Sequence, residues 1–146
     1  MVRLLGYSLN DMRGVQRGLL GVEWAANYWG YSTFNPFIPI FMIEDNELGV
    51  EGCFVSGMIC NFFAPNVNKI NIVNLGDDLY VTDREQTIVD MIRYDRSACY
   101  SYETVMYGLE DENIDKVKLE SLAKQYGVLE KMYEMYQVAC DDFENA

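Results

Sequence analysis

The chain has 146 residues, half of them apolar, and a net charge of −12 with no histidine. That length suits one domain with a core that needs no staples. The charge argues against direct binding to nucleic acid or anionic lipid, and the missing histidine excludes histidine-based triads and acid–base chemistry. The four cysteines, at positions 53, 60, 99 and 140, lack metal-ligand spacing and read as reduced, mostly buried thiols of a cytoplasmic protein. No apolar run reaches the roughly 18 residues of a membrane span. The start, Met1-Val2-Arg3-Leu4-Leu5, is too short for a signal peptide.

Val2 to Leu5 reads as a short strand or a loose start. Asn10 or Asp11 is placed to cap a helix running to about Trp29, with Val15, Leu19, Val22, Ala26 and Trp29 on one face. Gly14, Gly18 and Gly21 weaken that helix by up to about 1 kcal/mol each, and their spacing lets another element approach closely. Tyr31 to Pro36 reads as a loop. A strand is expected from Phe37 to Ile43, with Pro39 marking an edge or a bulge. Two further strands, Val50 to Val55 and Met58 to Phe63, form a hairpin pattern. Ile70 to Val73 alternates as a half-buried strand, and Asn74-Leu75-Gly76-Asp77 supplies a turn into Leu79-Tyr80-Val81. These runs predict a small, mostly antiparallel sheet of about five strands.

An apolar helix follows at once. Thr82 or Asp83 is placed to cap it, with Glu85 or Gln86 three residues on, as in a capping box. Ile88, Val89, Met91 and Ile92 fill more than one of its faces, which predicts a buried, central helix. Three more helices are expected. One starts at Tyr100 or Ser101 and carries Tyr102, Val105, Met106 and Leu109 on one face. The next is capped by Asn113 or Asp115, repeats Leu119, Leu122, Ala123 and Tyr126, and ends at Gly127. The last runs from about Val128 to Asp141 with Leu129, Met132, Tyr133, Tyr136, Ala139 and Cys140 inward, and Asp142 to Ala146 fray. The expected fold is α+β: the sheet packs with an N-terminal helix and a C-terminal group of about four helices. A single domain over 1–146 is expected, sheet-rich over 1–81 and helical over 82–141.

No catalytic residue, cofactor motif or metal site emerges. There is no P-loop or dinucleotide fingerprint, and Asp77-Asp78 and Glu110-Asp111-Glu112 lack the spacing of a calcium loop. Residues 81–146 carry two thirds of the net negative charge. Glu103, Glu110, Asp111, Glu112, Asp115 and Glu120 gather around two helix junctions. Carboxylates on neighbouring helical positions lie roughly 5–6 Å apart, a spacing that suits a basic nucleic-acid groove on another protein; the alternative is charge serving solubility. Tyr31 and Phe34 in the loop, and Tyr107 beside Gly108, are the aromatics hardest to bury. Tyr31, Phe34, Glu103, Tyr107, Glu110, Asp111, Glu112 and Asp115 are therefore the candidate partner-binding residues.

Glu85, Thr87, Ile88, Val89 and Asp90, directly after a strand, resemble the turn-and-helix motif of the AbiEi family of type IV antitoxins. Ile114-Asp115, Leu119, Leu122, Ala123 and Tyr126-Gly127 continue the resemblance, which spans roughly residues 20–138. It implies a non-enzymatic domain that neutralises a nucleotidyltransferase-like toxin by binding it. The family's N-terminal winged helix-turn-helix has no counterpart here, so the chain is expected to match the C-terminal neutralising domain alone, without DNA-binding autoregulation. Within the motif, Thr87 and Asp90 either touch the partner or hold the fold, and the structural role is the expected one: Thr87 bonds back into its helix, and Asp90 anchors the next loop or pairs with Arg93 or Arg84. The alternative reading is a small acidic inhibitor carried by a phage or mobile element. It would be similar to anti-CRISPR proteins and would act on a basic nuclease or defence complex as a nucleic-acid mimic.

Overall fold

A computed structural model describes residues 18–36, 38–43, 52–56, 59–63, 70–96 and 98–144. The expected strand at Val2 to Leu5 and the helix cap at Asn10 or Asp11 lie outside these residues. Among the described residues six strands and five helices follow in order: β1 Gly18–Leu20, α1 Val22–Tyr28, β2 Ile40–Ile43, β3 Gly52–Ser56, β4 Ile59–Phe63, β5 Ile72–Gly76, β6 Leu79–Thr82, α2 Arg84–Arg93, α3 Ala98–Glu110, α4 Lys116–Gln125 and α5 Leu129–Glu144. The fold is α+β. The strands form one sheet in the order β3-β4-β2-β1-β6-β5. Pairs β1/β2, β3/β4 and β5/β6 are antiparallel, whereas β1/β6 and β2/β4 are parallel.

The sixth strand comes out of the expected first helix. Gly18 to Leu20 is extended, and the helix begins only at Val22. The glycines explain the exchange. A Cβ at Gly18 would stand 2.7 Å from the Phe41 ring, and one at Gly21 would stand 2.1 Å from the Met42 sulfur. Both glycines thus admit β2 alongside, so their spacing does mark a close approach, though by a strand. Ladders on both sides, to β2 and β6, override the helical periodicity of Leu19 and Val22. Val22 turns the chain with φ of 43°, a strained value for a β-branched residue.

Two further expectations shift. Pro39 does not mark an edge, because β2 is interior; it sits one residue before the strand, and its carbonyl accepts the Cys60 N–H at 2.9 Å. A proline there removes no donor from the ladder. Asn74 to Gly76 belong to β5 rather than to a turn, with a register shift between Asn74 and Gly76. The reversal tightens to Asp77 and Asp78, both left-handed at φ 53° and 59°, as a two-residue hairpin requires.

Two layers of core meet at α2. On the sheet side, Leu19, Val22, Met42, Phe62 and Met91 pack together. On the other, Ile88, Val89, Val105, Leu119 and Met132 join the helices. Every residue of α2 from Glu85 to Ile92 is buried, so it is the central helix its all-round apolar pattern predicts. Asp83 caps it by accepting the Gln86 N–H at 2.8 Å. The reciprocal half of a capping box is replaced: the Gln86 side chain accepts the Asn71 N–H at 3.1 Å and donates to Asp90 at 2.8 Å, tying α2 to the sheet. Asp115 caps α4 by accepting the Lys118 N–H at 3.0 Å, and Gly127 ends that helix's turn at φ 71°. Helix α3 starts earlier than expected, at Ala98. Helix α5 extends to Glu144, past its expected end. Its Tyr133 is 42% exposed instead of inward, and Met135 takes the buried position. Among the described cysteines Cys60 is buried, but Cys99 is exposed and Cys140 half-buried.

Candidate interaction surface

The N-terminus of α2 organises a polar hub. Lys118 on α4 reaches Asp83 at 2.6 Å and Glu85 at 3.4 Å. Its ammonium pKa is raised, first by the hydrogen bond to Asp83. Glu85 also accepts the Asp115 N–H at 3.1 Å. Trp29 donates its indole N–H to the Thr82 carbonyl at 2.8 Å, and Arg84 lies over the Trp29 ring at 4.4 Å. The same coupling of guanidinium, ring and carboxylate recurs twice. Arg93 bonds Asp90 at 2.7 Å and lies between the Tyr94 and Tyr126 rings. Arg96 pairs with Glu23 at 2.9 Å and covers Phe62. Each pairing combines charge with ring stacking, which favours arginine over lysine.

Thr87 and Asp90 are both buried and bonded within the fold. Thr87 donates to the Asp83 carbonyl at 2.7 Å and meets the Thr82 hydroxyl at 2.7 Å. Asp90 is fully buried, with one oxygen shared by Gln86 and Arg93 and the other without a hydrogen-bond partner. Burial pushes its pKa up to about 6 despite the adjacent Arg93.

The eight partner-binding candidates separate. Tyr31 is 2% exposed and is not a surface residue: its hydroxyl donates to Asp111. Burial, then that hydrogen bond, raises its pKa, and the same bond leads the lowering of the Asp111 pKa. Asp111 also faces Arg84 at 3.4 Å and accepts the Asn113 N–H, so it holds a helix junction together. Phe34 is half-buried against Tyr100, ring centroids 4.8 Å apart. Glu103 accepts from the backbone and hydroxyl of Thr33. Asp115 is exposed, though its carboxylate is used as a cap. Glu110, Glu112 and Tyr107 remain outward. Tyr136 donates to Glu110 at 3.3 Å and Tyr133 to Glu120 at 2.8 Å, so two outward carboxylates are held by tyrosine hydroxyls of α5. The Tyr136 pKa is pushed up to about 12, first by its hydrogen bond with Cys140.

Beside this face, α3 and α5 leave a groove of about 640 Å³. Tyr102, Met106 and Tyr107 line it from α3, Val138 and Ala139 from α5, and Cys99 sits at one end. Among the described residues no group of three or more cysteines and carboxylates is arranged for a metal ion, and no helix is long and apolar enough to cross a membrane.

No model of a known protein family matches the chain, and no curated protein matches it either.

The residues that resemble the AbiEi motif lie on α2 and along α4. Glu85, Thr87 and Asp90 are all buried there, so contact with a partner would fall to other residues. The arrangement offers ion pairs, an acidic outer face and an aromatic groove. The groove's α3 wall was present in the sequence as Cys99, Glu103 and Tyr107, spaced four apart, a second stripe beside the inward face that carries Met106. Val138 gave no signal of its own, because its exposure, 46%, depends on which face α5 turns inward.

Proposed function

We propose that this chain is a cytoplasmic, non-enzymatic protein-binding inhibitor of the kind the AbiEi resemblance implies, one that neutralises a nucleotidyltransferase-like toxin. The outward helical face carries the reading: Glu110, Glu112 and Glu120 are exposed near Tyr107 and Tyr133. The four buried carboxylates among the described residues, Glu23, Asp83, Glu85 and Asp90, each face a cation. These four are committed to contacts inside the fold, which leaves the outer ones to meet a partner. A surface of fixed acidic charge and tyrosine suits a basic protein patch.

The test is affinity capture from nuclease-treated lysate by the wild-type protein and by the triple variant Tyr107→Ala, Glu110→Gln, Glu112→Gln. Asp111 stays intact in that variant because it holds Tyr31 and Arg84. The wild type should retain a nucleotidyltransferase-like toxin at low and high salt, and the folded triple variant should retain much less. Equal capture by both would remove this face from the interaction. The tyrosine-held Glu110 and Glu120 favour a second reading, an acidic inhibitor that occupies the nucleic-acid channel of a defence complex. Its partner would be a nucleic-acid-binding complex released at high salt.

A further inference from the structure

The groove between α3 and α5 differs from every other surface described here. Its walls are Tyr107, Val138 and Ala139, with Tyr107 and Val138 38% and 46% exposed, and the largely buried Met106 forms its floor. Met and aromatic side chains are typical of surfaces that accept a helix, since they fill irregular gaps and tolerate several apolar partners. The groove is open along one side, whereas a small-molecule pocket encloses most of its ligand. Helix α3 has 13 residues, a length of about 20 Å, enough to match three to four turns of a second helix.

Charge selects the occupant. Two carboxylates, Glu103 and Asp142, line the groove, and among the described residues no lysine or arginine does. Glu103 is held by Thr33, so one of the two charges has a fixed position. Asp141 and Glu110 add negative charge along the same two helices. A second copy of this chain would bring its own acidic groove walls against these and a further −12 of net charge, which disfavours self-association.

We propose that the α3–α5 groove seats a basic amphipathic helix of the partner protein. Its apolar side chains would lie among Met106, Tyr107 and Val138, and its lysines or arginines would reach Glu103 and Asp142. This rests on the protein-binding reading above and adds the partner's chemistry. Anchors at i, i+3 or i+4, and i+7 on the partner would enter the groove, as in other helix-in-groove complexes.

The probe is a synthetic peptide of about four helical turns with leucines at that spacing and lysines elsewhere. Two controls accompany it: the same leucine pattern with glutamates, and the same composition with scrambled leucines. Binding is followed by NMR chemical shifts on the full chain. The lysine peptide should shift Met106, Tyr107, Val138 and Ala139 and bind at least tenfold more tightly than either control. Val138→Arg places a cation on an exposed wall position and should weaken binding about tenfold while leaving the remaining spectrum unchanged. Asp142→Asn should weaken it a few-fold. Equal binding of the scrambled peptide, or shifts confined to Glu110, Glu112 and Glu120, would overturn the groove assignment while leaving a protein-binding face in place. A concentration-dependent dimer with shifts at the groove would assign it to a second copy and also overturn the proposal. If no peptide binds, the groove assignment fails. Toxin capture in the experiment above then reports separately on the wider reading.

Discussion

Asp90 is the least expected residue in the molecule energetically. A carboxylate with no exposure and one unpartnered oxygen pays for burial even with Arg93 at 2.7 Å. Its pKa rises from 3.8 to about 6. The folded protein therefore holds this proton more tightly than the unfolded chain does. The stability from this group is fully present below about pH 4 and is lost as pH rises to about 6, a swing of about 3 kcal/mol. The isosteric Asp90→Asn has no such titration, and whatever it loses with Arg93 does not depend on pH in this range. Urea unfolding of both proteins at pH 4 and pH 7 should show the variant gaining about 2–3 kcal/mol on the wild type between the two. Parallel curves would mean that Asp90 ionises normally in the fold. The sequence left Asp90 with three alternatives, the following loop, Arg93 and Arg84; the structure pairs it with Arg93, three residues on. Tyr31 was misplaced because its burial depends on Asp111, eighty positions away, a contact that no local pattern carries.

At the scale of elements, α2 and α4 were legible because period and caps agree. Apolar residues recur at helical spacing, and Asp83 and Asp115 stand one residue ahead of each helix with Gly127 after the second. Strand β1 was not legible. Its three residues are held by ladders to β2 and β6, and strand propensity is mostly a record of such neighbours. In helix α5 the inward face was right except at Tyr133, which is exposed while Met135, unassigned, is buried; Met and Tyr are similar enough in hydrophobicity for period alone not to separate the two positions. The packing of α3 on α2 gives a prediction. A Cβ at Gly108 would lie 2.4 Å from Ile88 Cδ1 and 2.8 Å from its Cγ1. Gly108→Ala should improve helix propensity by about 1 kcal/mol yet lose about 1–3 kcal/mol to overpacking. The net change should be destabilising by thermal unfolding. Ile88→Val removes the nearer atom, so the double variant should be more stable than the two single losses added together predict. Simple additivity would show that α3 moves aside freely.

For the whole molecule, charge is the dominant feature. Net −12 on 146 residues sets up self-repulsion across the surface. The buried carboxylates already have cations beside them and are little affected by ions in solution. Raising salt from about 0.01 M to about 0.1 M shortens the screening length from roughly 30 Å to roughly 10 Å. The melting temperature should rise by a few degrees over that range, on the order of 1 kcal/mol. A fall would mean that exposed ion pairs outweigh the repulsion. The uneven distribution of this charge toward the helical half was plain from composition alone; which carboxylates point outward and which hold a junction was not, since that depends on the tyrosines and threonine they meet.

The parallel pairing of β1 with β6 has a consequence in time. Gly18 lies opposite Leu79 and Leu20 opposite Val81, so one side of β1 waits for a segment about sixty residues further along. At a synthesis rate of roughly 5–20 residues per second, that wait lasts several seconds on the ribosome. Throughout it, Gly18 to Leu20 present unsatisfied ladder groups of the kind that recruit other strands. The helices beyond β6 pack mainly on one another, α3 against α5 and α2 against α3 and α4, within the stretch of chain made after β6. The sheet therefore cannot complete until β6 is made, and the helices synthesised after it settle onto strands that have already met.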